Sequence, residues 1–324
     1  MDAISVGTPA LWAGFIAFVL VMLALDLFVL GGRRAHRVSG KEALAWSLVW
    51  VSLALAFAGL LWTYLDDLAG REIANAKVLE FLTGYLIEKS LSVDNIFVFL
   101  MIFGYFQVPA EYQRRVLIYG VLGAIVLRAL MILGGAWLVA QFHGVLYVFG
   151  AFLVITGMKM LIFAEREPDL GKNPLLNWLR RRLAVTDAYH GERFTVVQNG
   201  VRAVTPLFLV LVLIETSDVI FAVDSIPAIF AITTDPFIVF TSNIFAILGL
   251  RALYFLLADM ADRFHLLKYG LALTLVFVGA KMLVAPFYKV PTGIALGVVA
   301  IIIASAVLAS LAATRRAADT ARRD

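Results

Sequence analysis

Cysteine is absent from all 324 residues, which excludes a disulfide framework, a thiolate metal site and a thiol redox pair. Histidine is scarce, with four copies, so any bound metal must be held by oxygen or by one of a few imidazoles. Charge is scarce as well: 15% of residues are Asp, Glu, Lys or Arg, where a soluble domain runs to about a quarter. No nucleophile paired with a base, no HExxH pair and no Gly-rich phosphate loop occurs, so an enzyme is not expected. In place of charge stands apolar sequence, 62% of residues, with a mean hydropathy of +0.92. One soluble core cannot hide that surplus, so lipid must be the solvent for much of the chain. The net charge of +4 comes from basic residues in short segments between apolar runs. That is the pattern of positive-inside loops, not of a nucleic-acid-binding surface.

A helical span needs about 20 mostly apolar residues. Nine segments qualify: 10–31, 43–65, 77–105, 115–141, 143–164, 204–231, 236–258, 264–285 and 292–313. The first is not a cleavable signal, because no Lys or Arg precedes Leu11 and Asp26 lies within it. Basic residues collect in the first loop (Arg33, Arg34, Arg37, Lys41), in a long loop over 165–203, and in the tail at 314–324. With nine spans these all fall on one face, which places the N-terminus outside and the C-terminus in the cytoplasm. The expectation is an all-α, multi-pass protein of the cell inner membrane. It forms a single transmembrane domain over 1–324, with the lipid bilayer as a partner and no nucleic acid.

Self-comparison at an offset of about 122–124 residues exposes a repeat. Phe142-His143 and Tyr147 match Phe264-His265 and Tyr269, and Gly157 with Lys159-Met160-Leu161 matches Gly279 with Lys281-Met282-Leu283. Leu127-Arg128-Ala129-Leu130 matches Leu250-Arg251-Ala252-Leu253, and Asp94 with Ile96-Phe97 matches Asp218 with Ile220-Phe221. The unit is three helices: spans three to five (repeat A, 77–164) and six to eight (repeat B, 204–285). Two leading helices over 10–65 precede the repeats, and a final helix over 292–313 follows them. An odd-numbered unit enters the membrane from the opposite side on its second appearance. That is the inverted plan of secondary transporters that bind substrate near the midplane.

Acids lie inside the expected spans. Glu88, Asp94 and Asn95 fall in span three, Glu215, Asp218 and Asp224 in span six, and Asp26 in span one. Six such acids facing lipid would cost on the order of 15 kcal/mol, so they face the bundle. At 100° per residue Glu88, Ser92 and Asn95 share one face while Ser90 and Asp94 share another. Either the helices unwind locally, which Pro227 would permit, or there are two polar sites. Carboxylate, amide and hydroxyl oxygens suit hard divalent cations such as Mn2+, Mg2+ or Ca2+. Arg128 and Arg251 are either countercharges that take the carboxylates when a cation has left or fixed structural ion pairs. Lys159 and Lys281 lie near span ends, where a snorkelling side chain is the simpler reading. His143 and His265 read as helix-end residues, and Arg180-Arg181-Arg182 as an orientation signal that could also hold lipid headgroups.

Two stretches resemble the signatures of TerC-type membrane proteins, the group that includes Alx-like manganese exporters. They are Glu88-x-x-Leu91-Ser92-x-Asp94-Asn95 and Glu215-Thr216-x-Asp218-x-x-Phe221-x-x-Asp224-Ser225-Ile226-Pro227-Ala228. The resemblance covers about residues 10–310. It implies export of Mn2+ from the cytoplasm, with links to tellurium resistance. It assigns the metal path to Glu88, Asp94, Asn95, Glu215, Asp218 and Asp224, with Asp26 matching an acid of the first span. The reading is a secondary transporter that takes a divalent metal ion as cargo and H+ or Na+ as counter-ion, and needs no resident cofactor. The alternative is an assembly or biogenesis factor for membrane proteins, which would need no acids at the midplane.

Overall fold

The computed structural model describes residues 5–25, 40–142, 144–162, 170–198, 200–258 and 266–320, apart from the side chains of Asp94 and of residues 315–320. Almost all of it is helix, as lipid requires, because a helix satisfies its own backbone polar groups. Among the described residues, seven helical stretches are long and apolar enough to cross a membrane: α2 (Gly40–Ala69), α4 (Ala110–Gln141), α5 (Val145–Ile162), α7 (Pro206–Phe230), the pair α8 (Pro236–Leu248) and α9 (Leu250–Ala258), α10 (Leu267–Val284) and α11 (Thr292–Thr320). The shorter apolar helix α1 (Pro9–Leu25) precedes them. Helix α3 (Arg71–Tyr105) is the longest at 35 residues and carries the charged run from Glu88 to Asn95 at its middle. The chain is therefore an all-α, multi-pass membrane protein.

Helix ends run past the expected apolar limits where polar side chains find partners. Helix α2 continues through Asp66 and Asp67, and α3 begins one residue after it ends, with Gly70 at the corner (φ 89°). Arg71 then reaches back to Asp66 at 3.0 Å across that corner. Counting apolar residues alone could not find these turns.

The segment expected as a plain loop, 165–203, is partly ordered structure. A 3-10 turn (Leu170–Lys172) leads into α6 (Pro174–Arg182). Asn173 caps α6 by accepting the Leu176 backbone N–H at 3.1 Å, and Pro174 occupies its first turn, both helix-starting features. An antiparallel hairpin follows, β1 (Thr195–Gln198) paired with β2 (Val201–Val204), in the register Thr195 to Val204 and Gln198 to Val201. Gly200 in the connection has φ 79°, a conformation glycine adopts without strain.

Two packing features fix the bundle. Phe15, Phe57, Phe81 and Phe245 interlock α1, α2, α3 and α8, with ring centroids 5.0 Å apart for Phe57–Phe245 and 5.2 Å for Phe57–Phe81. The crossing of α5 and α10 is close enough to be made by glycine. A Cβ on Gly157 would stand 2.7 Å from the Ala272 carbonyl oxygen, 2.7 Å from Val276 Cγ2 and 2.9 Å from Val276 N. A Cβ on Gly279 would stand 2.7 Å from the Gly150 carbonyl oxygen, 2.9 Å from Val154 Cγ2 and 2.9 Å from Val154 N. The two sets are reciprocal, since 150 corresponds to 272, 154 to 276 and 157 to 279 in the repeat, each 122 positions apart. Small residues at such crossings let backbones approach where no hydrophobic effect drives association.

Gly157→Ala should therefore cost about 1–3 kcal/mol by overpacking against backbone atoms, seen as a lower unfolding temperature of the purified protein. Gly59→Ala in α2, where nothing lies within 4 Å of the added carbon, should be neutral or stabilise by up to about 1 kcal/mol. Equal unfolding temperatures for the two variants would contradict the close crossing.

Candidate functional site

Helices α3 and α7 stay regular through both acid-bearing signatures. Their hydroxyls are bonded within their own helices: Ser90 Oγ donates to the Leu86 carbonyl, Ser92 Oγ to Glu88, Thr216 Oγ1 to Val212 and Ser217 Oγ to Leu213, at 2.6–2.8 Å. Each is a bond to the carbonyl four residues back, compatible with an intact helix. Pro227 is also accommodated inside α7. Of the two alternatives open at the level of sequence, local unwinding is not observed, and the acids are distributed over distinct positions instead.

The central feature is Arg128 of α4. Its Nε and Nη2 both donate to the Asp218 carboxylate, at 3.1 and 2.7 Å, and its Nη1 reaches Ser225 Oγ at 3.5 Å. Nη1 also pairs with Glu88 Oε1 of α3. The three side chains are sealed from solvent, at 1% exposure for Arg128, 0% for Glu88 and 3% for Asp218. The forked donors of arginine suit this bidentate grip in a way an ammonium cannot. Glu88 and Asp218 thus meet, with a guanidinium between them.

Beside this triad lies a cavity of about 310 Å3 between α3, α4, α5, α7 and α10. Glu88, Asn95, Arg128, Asp224 and Ser225 line it, together with Thr156 and Lys159 from α5. The Thr156 hydroxyl donates to the Asp224 carboxylate, and the Lys159 ammonium is its nearby countercharge. Asn95 is buried and its Oδ1 has no hydrogen-bond partner. These oxygen-bearing side chains share the lining with Leu91, Met160, Phe221 and Leu275, around a space large enough for a hydrated ion.

The remaining expected site residues are placed differently. Glu215 lies outside this lining, half-buried against α4 at Gly123, where a Cβ would overlap its carboxylate, and its Oε2 takes no hydrogen bond. Asp218 also borders a void of only about 10 Å3 near Arg251, too small for an ion with water. Asp94 belongs to α3, but its side chain lies outside the described residues, as do Asp26, His36, His143 and His265 altogether. Among the described residues no three Asp, Glu or His side chains converge as a ready-made metal cage.

Several participants were not evident from sequence. Lys159 and Thr156 line the cavity, although Lys159 reads as a residue near a span end. Lys281, its match in the repeat, turns inward and donates to the Ala231 carbonyl at the end of α7, at 3.3 Å. Lys89 points away from Glu88 and donates to the Ala246 carbonyl at 3.3 Å, beside the Gly249 break between α8 and α9. A lysine at a helix C-terminal end complements the helix dipole. The signal was present in the recurrence of Gly-x-Lys-Met-Leu, but periodicity does not say which way a long side chain turns.

A family model described as "Integral membrane protein TerC family" matches residues 73–318. The chain is 61% identical over 295 residues to the Escherichia coli (strain K12) protein named "Putative membrane-bound redox modulator Alx", covering 91% of this chain and 92% of that one. It is 52% identical over 314 residues to "Uncharacterized membrane protein STKORF319" of Myxococcus xanthus (97% and 95% covered), and 40% identical over 300 residues to an "Uncharacterized membrane protein" of Rickettsia bellii (93% and 96% covered). No solved structure matches the chain.

Removing Arg128 alone would leave two buried carboxylates without a countercharge. Arg128→Met should cost about 3–5 kcal/mol, read by thermal unfolding of the purified protein. Adding Glu88→Gln and Asp218→Asn to that variant should recover most of the loss. A single Arg128→Met variant as stable as wild type would mean that the triad carries no such energy.

Proposed function

The chain belongs to the TerC family of integral membrane proteins, and from that premise we propose that it is a secondary transporter exporting a divalent metal cation, Mn2+, across the cell inner membrane. The observation that carries this reading is the Arg128 guanidinium held between Glu88 of α3 and Asp218 of α7, at the wall of a cavity that Asn95 and Asp224 also line. When ionised, the carboxylates of Glu88, Asp218 and Asp224 outnumber the Arg128 guanidinium and the Lys159 ammonium by one, so the neighbourhood attracts a cation. Arg128 is then a tethered countercharge: it neutralises the carboxylates when the metal is absent and yields them when the metal enters. The oxygen donors and the complete lack of cysteine favour a hard ion over a thiophilic one.

The metal path takes Glu88, Asn95, Asp218 and Asp224 from the cavity and the triad, with Asp94, Glu215 and Asp26 added on motif position. Counter-transport of H+ or Na+ would use the same carboxylates in turn. The alternating-access frame is the inverted repeat of α3–α5 against α7–α10, within nine spans. Support comes from reciprocal contacts: Gly157 meets Ala272 and Val276, and its match Gly279 meets their matches Gly150 and Val154. The name of the Escherichia coli relative speaks of redox modulation. This chain has no cysteine with which to perform thiol exchange itself, so metal movement is the reading its own residues favour.

Cells or vesicles loaded with manganese test the proposal. Asp224→Asn and Asp218→Asn, confirmed as folded by their unfolding temperatures, should lower metal efflux by at least about tenfold, since even outer groups of metal sites cost that much when removed. Asp94→Ala tests the motif assignment in the same assay. Folded variants that clear cytoplasmic manganese like wild type would overturn the site.

A further inference from the structure

We propose that α6 is an interfacial foot that seats the segment between α5 and α7 on anionic lipid headgroups. Its level in the molecule is the first argument. Leu176 and Leu179 are buried in the same apolar cluster as Phe103, Val108 and Leu207, residues at the point where α3 ends at Tyr105 and α7 begins at Pro206. The helix therefore lies level with the ends of two long helices, where hydrocarbon gives way to headgroups.

The outer face of α6 is the second argument. Trp178 is 55% exposed, although a tryptophan on a water-facing surface usually buries its ring. Arg181 and Arg182, both exposed, follow at three and four residues and so flank Trp178 within about 60° on either side. Half-buried Leu175 completes this side. An indole bordered by arginines matches the interfacial region, where the ring sits among glycerol and acyl groups and the guanidinium groups meet phosphate.

Charge identifies the partner. Lys172, Arg180, Arg181, Arg182, Arg193 and Arg202 are exposed in this segment, and between 170 and 205 the acids are Asp187 and Glu192. The whole connection 163–205 holds seven basic residues against five acids, the other three (Glu165, Glu167, Asp169) preceding α6. Glu192 is already taken by Arg115 of α4 at 3.3 Å. The surplus is positive and lies beside an apolar ring, so the occupant is a lipid surface carrying negative headgroups. A soluble anion would neutralise the arginines but leave Trp178 in water.

Because the chain lacks cysteine, Trp178→Cys provides a unique attachment point for a nitroxide on the full-length protein. The labelled protein is reconstituted in vesicles of phosphatidylglycerol with phosphatidylcholine, and in phosphatidylcholine alone. The expected result in anionic vesicles is a label reached by dissolved oxygen and shielded from a water-soluble nickel chelate. Arg181→Gln with Arg182→Gln should lower the ratio of immersed to hydrated label by about fivefold for each arginine at low ionic strength. Both arginines are exposed, so the unfolding temperature should hold, which separates this effect from misfolding. A label open to the nickel chelate in both kinds of vesicle overturns the proposal. Immersion that is equal in the two lipids and unchanged by the double substitution overturns it as well.

Discussion

A single guanidinium shared by two carboxylates from two helices is the interaction around which this molecule is organised. In a water-poor interior, removing three charges from water is repaid only if the geometry is close and each charge finds its partner. Arg128 gives each charge a partner, gripping Asp218 with two donors and forming an ion pair with Glu88. The grip spans α3, α4 and α7, so a shift of any of these helices by one residue would break it. It also leaves a negative surplus of one, because Arg128 and Lys159 together face Glu88, Asp218 and Asp224.

The scaffold around this centre is built to hold helices whole. The hydroxyls of Ser90, Ser92, Thr216 and Ser217 close onto carbonyls of their own helices, so the polar stretches do not open the backbone. The glycine crossing of α5 and α10 and the phenylalanine clamp at Phe15, Phe57, Phe81 and Phe245 fix the outer members. One interruption is allowed, at Gly249, and there the Lys89 ammonium supplies the charge that a C-terminal helix end favours. Any rearrangement in such a frame moves helices against one another and does not unravel them.

Much of this was legible in the residues. Apolar runs of about 20 marked the helices, because bilayer thickness sets their length, and the acids at 88, 215, 218 and 224 marked the interior, because lipid will not hold them. The positions of the helix ends were not legible: Asp66 and Arg71 are polar, yet one continues a helix and the other begins one, by pairing across Gly70. Nor was the ordered structure of 170–204, where Asn173, Pro174 and Gly200 act locally and leave no hydropathy signal. Within the site, helical spacing put Glu88 and Asn95 on one face of α3, and both border the cavity. It could not show that Arg128 bridges Glu88 to Asp218, or that Lys159 reaches the cavity that Lys281 does not line, because those are contacts between helices. Asp26 lies outside the described residues, so its assignment rests on sequence alone.

Arginine between two carboxylates and a metal between the same two are alternatives, and the difference between them sets what transport would require. A guanidinium is planar and monovalent, and its hydrogen bonds satisfy carboxylates without closing a cage. A divalent ion needs more oxygens and brings twice the charge. On the transport reading, the incoming ion must therefore recruit the Asn95 oxygen and Asp224 from the cavity while Arg128 withdraws. Arg128 has somewhere to go: Ser225 Oγ already stands within reach of Nη1 at 3.5 Å, on the helix that carries Asp218. Exchange of one cation for another at constant burial avoids ever exposing bare carboxylates to lipid. That would allow acids so costly to place in a membrane to serve as a carrier's binding site.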